Sequence, residues 1–215
     1  MNQINLNSLE LKTFTEQDAF DYCQINNVNP DDITKLNLSW NKLTDISGIK
    51  IFKNLKELNL YENKLTDILS VKLLKNLKIL NIGYNKLTDI SVLKDFINLN
   101  QLYINNNQIK DISVIQYLKN LKQLSLDNNI LTDISIIQNL NNLEFLGLGN
   151  NNIKDISVIQ YLKNLQILSI VNLRLESDQI EYIKPLKNLK TLWCINGFKD
   201  RNILKQLNNN IKIYE

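Results

Sequence analysis

Six aspartates recur at intervals of 22 residues and are the most regularly spaced ionisable groups in the chain. They are Asp45, Asp67, Asp89, Asp111, Asp133 and Asp155. A row of carboxylates could bind Ca²⁺ or take part in acid–base catalysis. Because each aspartate occupies the same place in a recurring segment, a turn-stabilising role is favoured over a functional site, which is normally unique in a chain.

Other residues that carry chemistry are scarce. The chain has no histidine, so it lacks the usual general base near neutral pH and the commonest metal ligand. Its two cysteines, Cys23 and Cys194, lie far apart in apolar contexts, which predicts buried free thiols, a reducing compartment and no zinc site. The Gly147–Gly149 segment lacks the remaining glycines of a dinucleotide fingerprint. We therefore expect no catalytic residue, no cofactor and no metal, and we do not expect an enzyme.

Charge and hydropathy limit the choice of partner and location. The 215 residues include 25 basic and 22 acidic side chains without a basic run, which gives little support for binding to nucleic acid or an anionic membrane. The start of the sequence does not have the pattern of a signal peptide, and no apolar run approaches the roughly 18 residues of a membrane span. These features predict a cytoplasmic protein.

A period of 22 residues organises most of the chain. The segment IKDISVIQYLKNL occurs twice, at 109–121 and 153–165, and six copies of the 22-residue unit span residues 33–164 without a gap. Apolar residues fall at repeat positions 1, 4, 6, 11, 14, 17 and 20, counted from Ile33, and asparagine falls at positions 9 and 22. This pattern predicts a stack of coils, each burying its apolar edge against its neighbours.

The segment LKELNLYENKL at 55–65 follows the pattern L-x-x-L-x-L-x-x-N-x-L and resembles the leucine-rich repeat. The resemblance covers residues 33–196, and the T-D-I-S segment at positions 12–15 is most similar to internalins and to the regulatory subunit of protein phosphatase 1. Internalin repeats usually place proline after that serine, and this chain does not. The resemblance implies one α/β folding domain, a horseshoe-shaped leucine-rich repeat solenoid whose concave face is a parallel sheet of about eight strands.

Each part of the repeat has a predicted role. Positions 4 and 6 alternate with polar neighbours, which predicts a strand with one buried face. The asparagine at position 9 is expected to satisfy backbone groups of the turn after the strand. The second half of each repeat is expected to return as a short helical or 3₁₀ segment. The resulting structural ladder consists of Asn41, Asn63, Asn85, Asn107, Asn129 and Asn151.

The N-terminal end of the array needs a cap, which we assign to residues 1–32. Thr15 is predicted to begin a helix, with Asp18 completing a weakened capping box. On this helix Phe20 and Cys23, together with the preceding Phe14, are expected to pack on the first repeat. The fragment LNSLEL at 6–11 also fits L-x-x-L-x-L, which suggests a degenerate coil before the helix.

The C-terminal end is predicted to close in a similar way. A seventh repeat at 165–188 has 24 residues, with Leu173 in place of the position-9 asparagine, and its outer part is expected to form a fuller helix. An eighth strand follows, and residues 197–215 are expected to form a C-terminal cap from a helix and a short strand.

Side chains at positions 3, 5 and 7 are predicted to face the concave side, with position 8 at its rim. Aromatic and apolar residues there form two groups that the polar fifth strand separates. The N-terminal aromatic group is Trp40, Tyr61, Tyr84 and Tyr103, and the C-terminal apolar group is Phe145, Ile167, Val171, Trp193 and Ile195. Gly147 and Gly149 predict a dent beside Phe145.

These exposed groups suggest protein binding, since Trp and Tyr are frequent interface anchors. The main hypothesis is a monomeric, non-catalytic protein–protein interaction module that binds a protein partner through the concave sheet, centred on the C-terminal apolar group. Resemblance to the phosphatase subunit implies an intracellular regulator, and resemblance to internalins implies recognition of a surface protein. The alternative is a recognition or autoinhibitory domain of a larger or separately encoded enzyme system. Nucleic-acid or glycan binding is a weaker alternative because the concave charges are mixed.

Overall fold

The computed structural model describes residues 2–215, which form an open parallel sheet of ten three-residue strands in chain order. Within the repeats, each residue pairs with the residue 22 positions later, as Leu36 does with Leu58 and Leu58 with Leu80. The strands are β1 (Gln3–Asn5), β2 (Lys35–Asn37), β3 (Glu57–Asn59), β4 (Ile79–Asn81), β5 (Gln101–Tyr103), β6 (Gln123–Ser125), β7 (Phe145–Gly147), β8 (Ile167–Ser169), β9 (Thr191–Trp193) and β10 (Lys212–Tyr214). The predicted solenoid is confirmed, and its two additional strands come from the terminal segments.

Alternation of buried apolar and more exposed polar residues within each repeat explains why the strands form. In β3 the central Leu58 is buried while Glu57 and Asn59 are half-buried on the other face. Leu60, two residues further on, is also buried, so both inward positions of the repeat reach the core. The apolar side chains of successive coils form one continuous cluster along the solenoid.

The outer side of the solenoid is built from short 3₁₀ helices, one of the two forms that the repeat predicts. Their backbone N–H groups bond three residues back, as Leu74 does to Val71 at 2.8 Å. The 3₁₀ helices are Pro30–Asp32, Ser47–Ile51, Leu69–Leu73, Ser91–Asp95, Ser113–Tyr117, Ser135–Asn139, Ser157–Tyr161, Ser177–Tyr182 and Arg201–Gln206. The fuller helix expected in the seventh repeat is wrong: Ser177–Tyr182 is only one residue longer than its predecessors, and Pro185 has no N–H to continue it.

The recurring aspartates stabilise turns, as predicted. Each carboxylate accepts a hydrogen bond from the backbone N–H two residues later, where the 3₁₀ helix begins; the distance from Ser113 to Asp111 is 2.7 Å. Hydrogen bonds from the backbone and the side chain of Ser113 hold the pKa of Asp111 below its usual value. The same bond occurs at all six positions, Asp45, Asp67, Asp89, Asp111, Asp133 and Asp155.

The position-9 asparagines form the predicted ladder between coils. Asn63 accepts a hydrogen bond from the N–H of Leu43 at 3.0 Å and donates to the carbonyls of Leu38 and Leu60 at 2.9 and 3.1 Å. Leu38 and Leu43 belong to the preceding coil, so one side chain satisfies backbone groups of two coils. A second, exposed ladder at position 22 links the outer side, where Asn120 donates to the carbonyl of Ile97 at 2.7 Å.

The N-terminal helix α1 (Glu16–Ile25) begins at the predicted N-cap, Thr15, with both hydrogen bonds of its capping box to Asp18. Cys23 is buried, as expected, but the prediction for Phe20 is wrong, because its side chain is 51% exposed. Ala19 and Cys23 are four residues apart and face the first repeat, which turns Phe20 toward solvent.

α1 lies unusually close to Ser47–Ile51, the 3₁₀ helix of the first repeat. The N–H of Gly48 donates to the carbonyl of Phe14 at 2.7 Å, and Phe14 is buried. A Cβ atom on Gly48 would lie 2.3 Å from the carbonyl oxygen of Thr15. Only glycine therefore fits between the 3₁₀ helix and the start of α1, whereas the other repeats hold Ser, Val or Ile at this position.

The degenerate first coil exists, but its expected register is wrong. β1 pairs Ile4 with Leu36, so Leu6 takes the second inward position instead of starting the pattern. Leu9 then falls where the other coils have asparagine, and it is exposed. Asn41 of the next coil supplies the missing partner, since its Oδ1 accepts from the N–H groups of Leu9 and Leu11, both at 3.0 Å.

Both cysteines are free and buried, as predicted. Burial raises the pKa of the Cys194 thiol to about 11 and also raises the pKa of the Cys23 thiol. Neither thiol is therefore expected to be ionised near neutral pH.

Candidate functional site

Three members of the N-terminal aromatic group form one stack along the concave rim. The ring centroids of Trp40 and Tyr61 are 5.5 Å apart, those of Tyr61 and Tyr84 are 5.0 Å apart, and both pairs are tilted by about 55°. Trp40 is 53% exposed and Tyr84 is 44% exposed. Burial, with smaller contributions from Tyr84 and Glu62, raises the pKa of Tyr61. The stack thus leaves about half of the surface of Trp40 and of Tyr84 open to a partner at the N-terminal end of the sheet.

Tyr103, the fourth member, lies apart from this stack because position 5 is within the strand, in the middle of the concave face, and not at its rim. Its hydroxyl is 3.1 Å from Oε1 of Gln101 and also contacts Gln123. It lines a shallow depression of about 270 Å³ with Lys35 and Glu57, which form an ion pair at 2.8 Å. This part of the concave face is therefore polar.

Position 8 has left-handed backbone geometry in every repeat, a feature that the sequence analysis missed. Five coils place asparagine there, the residue that tolerates this conformation best after glycine: Asn106, Asn128, Asn150, Asn172 and Asn196. The first three repeats instead have Trp40, Glu62 and Tyr84, with φ of 56°, 53° and 53°. A left-handed conformation costs such residues about 1 kcal/mol each. The run of asparagines was the signal available in the sequence.

The C-terminal apolar group is centred on Trp193 and extends to a residue that the sequence analysis omitted. The rings of Trp193 and Tyr214 have centroids 5.1 Å apart, because β10 pairs these two residues. Trp193 is 47% exposed and Ile195 is 43% exposed. Phe145 and Ile167 pair across β7 and β8 and are half-buried, as is Val171. All five predicted members of this group lie on the same half of the concave face.

The dent expected at Gly147 and Gly149 is wrong, because the carboxylate of Asp127 fills it. A Cβ atom on Gly147 would lie 1.9 Å from Oδ2 of Asp127. Asp127 Oδ1 accepts from the N–H of Gly149 at 2.9 Å and from the hydroxyl of Ser169 at 3.1 Å, and Oδ2 accepts from the hydroxyl of Ser125 at 3.0 Å. One side chain therefore connects β6 to the two coils that follow it.

This arrangement predicts effects of different size for two substitutions of Asp127. Asp127→Ala should lower the free energy of unfolding by about 1–3 kcal/mol, since it leaves the buried N–H of Gly149 without an acceptor. Asp127→Asn keeps an oxygen for that N–H and a donor for the hydroxyl of Ser125, so its effect should stay below about 1 kcal/mol. Urea denaturation of both variants measures the difference. Equal losses would show that the charge, and not the hydrogen bonding, is what matters.

Exposed apolar residues also occur on the outer side, which the sequence analysis did not consider. They are Leu69, Leu73, Ile97, Tyr117 and Tyr161. Leu69 stands at position 15, where the five other repeats have serine, and this irregularity was visible in the sequence.

Two further properties of the described residues bear on the site. Among residues 2–215, no three or more Cys, Asp or Glu side chains come together in a way that could hold a metal ion. Over the same residues, every helix is too short or too polar to cross a bilayer.

A family model described as leucine-rich repeats in two copies matches the chain in four overlapping windows. The windows are residues 53–95, 75–117, 97–140 and 119–161, which together cover about half of the 215 residues. None of the curated proteins compared has a matching sequence.

Solved structures with a similar fold include bacterial leucine-rich repeat proteins. The internalin InlF of Listeria monocytogenes is 28% identical with a TM-score of 0.81, and the match covers 98% of this chain and 58% of that one. The internalin InlC2 of the same organism is 25% identical with a TM-score of 0.72, and 100% of this chain and 79% of that one are covered. A leucine-rich repeat protein of Leptospira interrogans is 28% identical with a TM-score of 0.73, covering 98% and 59%. This chain thus spans little more than half the length of InlF.

Proposed function

Because the chain belongs to the leucine-rich repeat family, we propose that it is a non-catalytic module that binds a protein partner on the concave face of its sheet. Proteins of this family generally mediate protein–protein interactions. The observation that carries the proposal is the exposure of large side chains where the core does not need them, above all Trp40 and Trp193. Truncation of such residues in interfaces typically costs 2 kcal/mol or more.

The size of the face supports the same proposal. Ten strands at about 4.8 Å spacing give a surface roughly 43 Å long. A standard interface needs about 800 Å² on each partner, which a surface of this length provides even if it is only 20 Å wide. The stacked rings at one end and the apolar group at the other offer two anchor points for one partner.

The proposal extends to location and assembly. We infer a monomer that works in the cytoplasm and does not bind nucleic acid. The two free buried thiols, Cys23 and Cys194, support a reducing compartment. Within residues 2–215, seven lysines form ion pairs with carboxylates, and the total charge is only +3, which supports weak attraction to phosphates.

Capture from a native lysate, with four matched baits and quantitative mass spectrometry, tests the proposal. The baits are wild type, Trp193→Ala/Phe145→Ala, Trp40→Ala/Tyr84→Ala, and the outer-side control Leu69→Ala/Leu73→Ala. We expect a protein that wild type and the outer-side control retain equally. The first concave variant should bind it roughly 700-fold more weakly, since loss of two anchors at about 2 kcal/mol each totals about 4 kcal/mol.

Circular dichroism and thermal unfolding establish that all four baits are folded. Retention of the partner by both concave variants, with loss by the outer-side control, would contradict the proposal and place the interface on the 3₁₀ side.

A further inference from the structure

We propose that the N-terminal rim binds a positively charged side chain, lysine or arginine, of a protein partner. The rim site is the stack of Trp40, Tyr61 and Tyr84 together with Glu62, which stands between Trp40 and Tyr84 in the column of position-8 residues. This inference rests on the proposed function, because it names the chemistry of the partner group that one part of the concave face receives.

Backbone conformation is the first argument. Trp40, Glu62 and Tyr84 hold the left-handed geometry that five later coils assign to asparagine, although all eight coils have the same register. Three successive repeats at this end of the rim thus hold, in a left-handed conformation, residues that normally avoid it. Strained positions that persist against an available better residue indicate that the side chain itself is needed.

The chemistry of the four side chains is the second argument. Aromatic ring faces attract cations, and the attraction is strongest for Trp and for desolvated positions. Elsewhere this chain supplies its own cations to aromatic rings: Lys75 lies 5.2 Å from the centroid of Phe96, and Lys212 lies 4.9 Å from that of Tyr214. No lysine or arginine within residues 2–215 lies over the rings of the rim site in this way.

Charge is the third argument. Across positions 3, 5, 7 and 8 of the eight repeat strands there is one lysine, Lys35, against three carboxylates, a net charge of −2 on a chain whose total is +3. Lys35 is paired with Glu57, and Asp127 accepts three hydrogen bonds from its neighbours. The carboxylate of Glu62 has no ion pair or side-chain hydrogen bond with any residue from 2 to 215. A cationic partner group is therefore the complement of this rim.

The neighbouring lysines set the direction of approach. Lys64 follows the buried Asn63 on the outer loop, and Lys42 is already paired there with Glu10. Because the charge of Lys42 is offset by Glu10, Lys64 is the lysine that opposes a partner cation on the loop side, which favours approach from the concave side, where Tyr61 lies.

Fluorescence of Trp40 measures binding directly. In a Trp193→Phe background Trp40 is the only tryptophan, and the full chain is titrated with the peptides acetyl-Gly-Arg-Gly-amide, acetyl-Gly-Lys-Gly-amide, acetyl-Gly-Glu-Gly-amide and acetyl-Gly-Ser-Gly-amide. We expect saturable changes with the first two peptides at millimolar concentrations and none with the last two. Glu62→Gln should weaken binding at least fivefold. Glu57→Gln removes an equal charge from the same face and should leave the affinity within twofold.

Removal of the rings provides a second test. Trp40→Asn and Tyr84→Asn should each abolish the response to the arginine peptide, which is followed by isothermal titration calorimetry for the first variant and by Trp40 fluorescence for the second. Each substitution relieves a left-handed side chain but also removes a ring contact of similar strength, so the midpoint of thermal unfolding should stay within about 4 °C of wild type.

Stronger binding of the glutamate peptide, equal binding by wild type and Glu62→Gln, or no response to any peptide at 20 mM would each overturn the inference. So would an undiminished response to the arginine peptide in both asparagine variants. If the rim fails these tests while the lysate partner is still lost by Trp193→Ala/Phe145→Ala, the proposed function stands without the rim site.

Discussion

Asn63→Ala is expected to lower the free energy of unfolding by about 3 kcal/mol. The substitution leaves the N–H of Leu43 without an acceptor and removes one of the two amide donors to each of the carbonyls of Leu38 and Leu60, which keep their bonds to Asn41 and Asn85. Asn63 is only 8% exposed, so water reaches the N–H of Leu43 poorly, and its loss of a partner costs about 1–3 kcal/mol, to which the two lost bonds add. Equilibrium unfolding in urea gives the value directly.

The matched control for this substitution is Asn76→Ala. Asn76 belongs to the exposed ladder at position 22, where its amide reaches the carbonyl of Lys53 at only 3.5 Å. Its replacement should change the free energy of unfolding by no more than about 0.5 kcal/mol. Similar losses for the two variants would mean that asparagine contributes through local turn propensity and not through bonds between coils.

Gly48→Val is expected to destabilise the N-terminal end by about 3 kcal/mol and to release α1. The added Cβ would meet the carbonyl oxygen of Thr15 at 2.3 Å, and this backbone atom has no freedom to move without shifting the helix. Overpacking of this kind costs 1–3 kcal/mol, and a clash with backbone lies at the upper end. Hydrogen exchange should show faster exchange of the α1 amides.

Ser70→Val is the control, because it places the same side chain at the same repeat position of the next coil. Valine is already present there in three repeats, at Val92, Val114 and Val158, so the coil accommodates it. We expect Ser70→Val to be within about 0.5 kcal/mol of wild type. If it destabilised the chain as much as Gly48→Val does, contact with α1 would not be the cause.

Most features that repeat were predicted from the sequence, and the left-handed geometry at position 8 is the exception. The parallel strands, the 3₁₀ segments, the aspartate turns and the asparagine ladder each depend on contacts between equivalent residues one coil apart. A period of 22 residues therefore contains the information about which residues meet. Asn63 illustrates this, since its partners Leu38 and Leu43 are fixed by the register alone.

Features that occur once could not be predicted in the same way. Asp127 fills the space over Gly147 because three donors orient its carboxylate, and one of them, Ser169, is 42 residues away. Phe20 is turned outward because Ala19 and Cys23 take the inner face of α1, a rotation that a short amphipathic segment leaves open.

Some residues of the candidate site were predicted from the sequence and others were not, for the same reason. The positions of Trp40, Tyr61 and Tyr84 on one rim follow from the repeat, and so does the apolar neighbourhood of Trp193. Tyr214 was missed because it joins Trp193 only through the pairing of β10 with β9. Tyr103 was placed in the same aromatic group as Trp40, Tyr61 and Tyr84 because sequence spacing does not show how far position 5 lies from positions 7 and 8.

Because successive coils keep a strict 22-residue register, the number of coils determines the length of the concave surface. Each whole coil added or removed between Tyr103 and Phe145 would change the separation of the two anchor regions by one strand spacing, about 4.8 Å, and leave both regions intact. The identical segments at 109–121 and 153–165 are sites where misaligned recombination would add or delete coils in units of 44 residues. Partner size could thus be matched by gene length, although a 44-residue step would also remove or repeat Phe145, which lies between the two identical segments.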